Sequence, residues 1–107
     1  MGAQQITQVL LDDVKTYLGI TWQDEPTDRK IRGFIASGIV YLDSKCGGAA
    51  DYETEGLPKT LLCEYVRYIR DAALDVFEEN YRSMILAMRH ERTVIAHAEK
   101  TVQDAER

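Results

Sequence analysis

Residues 61–88 read LLCEYVRYIRDAALDVFEENYRSMILAM. Apolar side chains return every three or four positions, the spacing of an α-helix rather than the alternation of a strand. Leu61, Leu62, Tyr65, Val66, Ile69, Ala72, Ala73, Val76 and Phe77 cover more than one helical face. A helix so broadly apolar belongs at the centre of a bundle. Pro58 stands just ahead of it, where the missing amide hydrogen costs a helix nothing. Asn80 and Ser83 are capping residue types, so a break is expected between Glu79 and Ser83. A fourth helix is then expected from about Ser83 to Ala105.

The same period extends toward the N-terminus through LLDDVKTYLGITWQDEPTDRKIRGFIASGIVYLDSKCGG, residues 10–48. Leu10, Leu11, Val14, Tyr17 and Leu18 make one stripe, and Gly19 is suited to a left-handed stop. Pro26 disfavours a helical Glu25. The second helix is therefore expected from about Thr27 to Lys45, capped by Thr27 or Asp24. Its stripe is Ile31, Phe34, Ile35, Gly38, Ile39, Leu42 and Cys46. Gly33 and Gly38 each cost a helix about 1 kcal/mol relative to alanine. That cost is tolerable where another helix approaches closely. Gly47-Gly48 ends the helix, and the loop that follows carries Asp51, Glu53 and Glu55.

Together these patterns predict a small antiparallel all-α bundle of about four helices. It would be one domain with a core over residues 10–88 and a helical arm over 89–107. The arm is thinly apolar. A three-four pattern falls on Tyr81, Met84, Met88, Glu91, Ile95, Ala98, Val102 and Ala105, and past Met88 it weakens. One fully covered side chain contributes about 1.5–3 kcal/mol, which is small against the entropy of ordering a helix. The arm is therefore expected to be dispensable for folding and available to a partner. Arg89, Arg92, Ile95, His97 and Val102 are its candidate anchors.

Chemistry is scarce. The adjacent carboxylates Asp12-Asp13, Asp24-Glu25 and Glu78-Glu79 point in different directions on a helix and make no acid–base pair. His90 and His97 lie seven apart without further ligands, which is not a metal spacing. No phosphate-cradling glycine motif and no serine beside a histidine base occurs. No enzyme activity, cofactor or metal is expected. The net charge of −5 and the lack of a basic stripe argue against sequence-specific nucleic-acid binding. No run reaches the ~20 apolar residues of a membrane helix. MGAQQITQ shows no secretory signal. Cys46 and Cys63 read as small buried hydrophobes, with a disulfide open only if the fold juxtaposes them. Trp22 either caps the core or anchors a neighbouring subunit.

The pieces DDVKTYLGI (12–20), DEPTDRKIRGFIASGIVYLDSKCGG (24–48) and LLCEYVRYIRDAALDVFEENY (61–81) carry a resemblance. Over residues 11–92 the chain resembles the small head–tail connector proteins of tailed phages, also labelled head-completion or DNA-packaging proteins. The resemblance implies a helical protomer of a ring, twelvefold in the virion neck. That ring docks beneath the portal after DNA packaging and gives a tail or stopper protein its platform. It implies no catalytic residue. The tail from Thr93 to Arg107 departs from shorter members. For side-by-side packing, acidic Asp51, Glu53 and Glu55 facing basic Arg67, Arg70 and Arg82 are the expected complementary edges. The alternative is a small helical protein-binding module, such as a regulator or chaperone.

Overall fold

The computed structural model describes the backbone of residues 6–105 and the side chains of residues 6–95. The protein is an all-α bundle: α1 spans Gln8–Leu18, α2 Glu25–Cys46, α3 Leu57–Arg70 and α4 Phe77–Ala105, with a 3₁₀ turn at Leu74–Val76 leading into α4.

Local chemistry sets most of the ends. The Thr7 hydroxyl accepts from the Leu10 amide at 3.1 Å and caps α1. Gly19 stops it in the left-handed region (φ 78°). There the Ile20 amide reaches back to the Lys15 carbonyl at 2.9 Å, and the Ile20 side chain folds onto the core. Asp24 caps α2 by accepting from the Thr27 amide at 3.1 Å and the Thr27 hydroxyl at 2.6 Å. The expected start at Thr27 thus moves back to Glu25. Pro26 falls in the first turn, where a helix has no use for its amide hydrogen.

The third and fourth helices divide differently from the expected pattern. α3 stops at Arg70, well before Phe77. The Ala73 amide closes onto the Tyr68 carbonyl at 2.8 Å and the Ala72 amide onto Ile69 at 3.3 Å, leaving Ala72 left-handed at φ 58°. This is a glycine-type helix stop built on alanine. The apolar run through Ala72, Ala73 and Val76 concealed it, because nothing in the residue types marks a turn. The break expected between Glu79 and Ser83 is present only as a bend at Tyr81 (φ −116°, ψ 16°) inside α4. A left-handed alanine costs about 1–2 kcal/mol. Ala72→Gly should accordingly raise stability by about 1 kcal/mol, read as a higher urea midpoint with unchanged slope.

The core is continuous from Leu10, Leu11 and Val14 on α1, through Ile31, Ile35, Ile39 and Leu42 on α2, to Leu61, Leu62, Tyr65 and Val66 on α3. Phe77, Ile85 and Met88 close it from α4. Gly38 lies at the α2–α3 crossing. A Cβ there would come within 2.7 Å of Leu62 Cδ1 and 2.9 Å of Tyr65 Cδ1, whereas one at Gly33 meets nothing within 4 Å. The close-approach expectation holds for Gly38 and fails for Gly33. Gly33→Ala should stabilise the domain by about 0.5–1 kcal/mol through helix propensity. Gly38→Leu should destabilise it by about 1–3 kcal/mol through overpacking. The pair of urea titrations checks both signs.

Candidate interaction surfaces

Polar residues that face inward tie the elements together. Glu64 on α3 is 6% exposed. Its Oε1 accepts from Tyr81 Oη at 2.6 Å and from Arg67 Nε at 3.1 Å, with Arg67 Nη2 also in contact. Its Oε2 accepts from the Tyr17 hydroxyl. One carboxylate therefore joins α1, α3 and the bend of α4. Burial, and then its bond to Glu64, push the Tyr81 hydroxyl up to about 12. Lys15, also buried, pairs with Asp28 at 2.7 Å and joins α1 to α2.

The acidic loop between α2 and α3 is more tethered than its sequence implies. Tyr52 in its middle is buried, and its hydroxyl donates to Asp43 Oδ1 at 2.6 Å. Asp51 accepts from the amides of Glu53 and Thr54 at 2.9 and 3.3 Å. Bonding to Thr54 holds its carboxyl below the usual range. Glu53 accepts from the Thr7 hydroxyl at 3.2 Å. Glu55 pairs with Lys59 at 2.8 Å, and Lys59 also reaches Asp13 at 3.0 Å. Glu55, then Asp13, hold the Lys59 ammonium well above its ordinary range.

The three arginines of the expected basic edge have separate surroundings. Arg67 is committed to Glu64. Arg70 Nε lies 3.2 Å from Asp71, and its guanidinium donates to the Leu18 carbonyl at 3.3 Å. Arg82 instead lines a groove of about 240 Å³ between α2 and α4, with Lys45, Glu78, Ile85, Leu86 and Arg89. Lys45 pairs there with Glu78 at 2.9 Å. Bonding to Tyr41 and then to Lys45 holds Glu78 below its ordinary 4.5. Arg82 and Arg89 form no ion pair among the described residues.

The arm is not wholly free of its own domain. The Arg92 guanidinium packs over Gly48 and donates to the Ala49 carbonyl. Arg92, expected as a partner anchor, is thus exposed and also in contact with its own domain. Met88, Glu91, Arg92 and Ile95 form one wall of a cleft of about 270 Å³, whose other wall includes Cys46, Ala50, Thr54 and Pro58. Ile95 and Val94 remain about half exposed. His97 and Val102, also expected as anchors, lie outside the residues whose side chains are described. Trp22 does not cap the core: it is 55% exposed at a bend between α1 and α2.

The sequence reading missed Leu86 and Lys45 as groove residues. Leu86 sits beside Ile85 in an apolar run and reads as core, yet it is 56% exposed. The available signal was the run Glu78, Arg82, Ile85, Arg89, which keeps charge and an apolar residue on one face of a helix. Cys46 and Cys63 are both buried free thiols. Burial raises both, Cys63 to about 11, which leaves them weak nucleophiles at neutral pH.

Among the described residues no cluster of three or more His, Cys, Asp or Glu side chains forms a metal-sized group. No described helix is long and apolar enough to cross a membrane. Comparisons with family models, with curated proteins and with solved structures found no match to the chain.

Proposed function

We propose that the protein is a structural adaptor, a protomer of a phage head–tail connector ring that docks under the portal and offers a platform to a tail or stopper protein. The sequence resemblance over residues 11–92 motivates this reading. The observation that carries it furthest is the form of α4. The helix closes the core with Phe77, Ile85 and Met88, then runs on to Ala105 as a 29-residue helix, in a molecule 53 Å long and under 30 Å in its other two dimensions. Val94 and Ile95 are exposed on the extension. A rigid domain with a projecting helix suits attachment through a helix laid in a partner's groove.

Mixing the protein with purified portal and imaging the product by electron microscopy tests the proposal. Added density in a ring beneath the portal is the expected outcome. Truncation after Glu91 should leave a folded domain that no longer docks. Absence of any portal complex with the full chain would sink the adaptor reading. A generic helical binding module is the alternative, distinguished by a partner that is not a portal and by the lack of ring-shaped assemblies.

A further inference from the structure

We propose that one copy of the chain inserts the Trp22 loop into the α2–α4 groove of the next copy, so that protomers join head to tail. This rests on the adaptor reading for its biological setting and on three features of the fold for its geometry.

The first feature is a knob. Trp22 is 55% exposed at the bend between α1 and α2. Tryptophan is among the side chains that dominate interfaces when covered. Asp24 and Glu25 follow it and are exposed. Asp24 uses one oxygen, Oδ2, to cap α2. The Thr27 hydroxyl and amide hold its carboxyl below the usual range, so it carries its charge at neutral pH.

The second feature is a socket of opposite sign. The groove between α2 and α4 has Ile85 and Leu86 as its apolar surface and Arg82, Arg89 and Lys45 around it. Its one acid, Glu78, is paired with Lys45 and also feels the charge of Arg82, so three cations face one carboxylate in a chain whose net charge is −5. A volume of about 240 Å³ admits one large side chain. Arginine also stacks well on an indole face.

The third feature is the placement of the two along α2. Trp22 precedes the first turn of this 22-residue helix and Lys45 is in its last turn. At ~1.5 Å per residue they stand about 30 Å apart. One molecule cannot satisfy its own knob. A knob and a socket on different surfaces make a heterologous contact, which propagates from copy to copy and closes into a ring when the rotation permits. The arrangement differs from the edges expected from sequence, because the acidic loop of residues 51–55 is held by its own Thr7 and Lys59 and Arg67 is held by Glu64.

Sedimentation of the full chain over a concentration series, at low and high salt, tests the contact. The expected result is concentration-dependent association that weakens with salt. Trp22→Ala should reduce it about 30-fold or more, the scale of a tryptophan hot spot. Glu25→Arg and Arg89→Glu should each weaken association when present alone, and restore it when the two single variants are mixed. All these positions are exposed, and a far-ultraviolet dichroism spectrum verifies that each variant folds. In a second arm, Gln23→Cys protein, which keeps Trp22, mixed with Leu86→Cys protein under a mild thiol oxidant should give disulfide-linked heterodimers, while neither variant cross-links to itself. Unchanged association of Trp22→Ala, cross-linked homodimers of either cysteine variant, or a wild-type chain that stays monomeric at the highest concentration would each overturn the contact. Docking of wild-type protein on the portal without this contact would leave the adaptor reading standing. Self-association through the contact without portal docking would remove the adaptor reading alone.

Discussion

Phe77→Ala should destabilise the domain by about 3–5 kcal/mol, the range for removing a buried phenylalanine ring. Phe77 is 1% exposed at the first position of α4. Its ring stacks on Tyr81 with centroids 5.0 Å apart. It meets Tyr65 at 5.4 Å, Tyr68 at 5.5 Å and Tyr41 at 6.0 Å edge to face. These geometries are the favoured ones for aromatic quadrupoles. The four partners come from α2, α3 and α4, so none can move into the void without breaking its own contacts. A domain of this size has a total stability of about 5–15 kcal/mol. The variant should therefore be partly unfolded near physiological temperature, with a midpoint lowered by well over 10 °C. Phe77→Leu, which refills most of the volume, should recover more than half of the loss. Calorimetry of the three proteins checks the order. A loss under 1 kcal/mol for Phe77→Ala would show that α4 does not close the core through this ring.

Glu64→Ala is the second large effect, about 2–3 kcal/mol. The carboxylate is almost fully enclosed, and it is the acceptor for Tyr17, Tyr81 and Arg67 together. A buried hydroxyl that loses its acceptor costs about 1–3 kcal/mol. Tyr81 is the partly buried member, whereas Tyr17 is half exposed and finds water. The Arg67 side chain is 42% exposed, so its charge also turns to solvent and adds little. Glu64→Gln keeps an acceptor at the same place and should cost less than half as much. The near-ultraviolet dichroism of the tyrosines should change in Glu64→Ala, because Tyr81 loses the bond that accompanies the bend in α4. A stability within 0.5 kcal/mol of wild type would mean that the junction of α1, α3 and α4 is held by packing alone.

The helices themselves follow from local rules. Gly19 and Gly47 end α1 and α2 because only glycine enters the left-handed region without a Cβ penalty. Asp24 begins α2 because its short side chain reaches an amide three residues on. The stripes through Val14, Ile35, Leu42, Leu62 and Ile85 had to turn inward, since no other arrangement removes them from water. Those facts need only neighbours in the sequence, and the all-α bundle was legible from them. The division of residues 61–88 needed the tertiary structure. Ala72 ends α3 in a conformation its residue type does not favour, and just beyond the turn Phe77 packs among four tyrosines drawn from three helices. The same is true of the polar groups. Glu64 reads as a solvated charge until α1 and α4 bring Tyr17 and Tyr81 to it. The contact of Arg92 with the loop after α2 is likewise invisible until the fold brings Gly48 and Ala49 beneath it. That Leu86 faces solvent between Arg82 and Arg89 depends on which faces α2 and α4 turn to each other. That choice is made by the sum of many small apolar burials across the bundle, and no single residue encodes it.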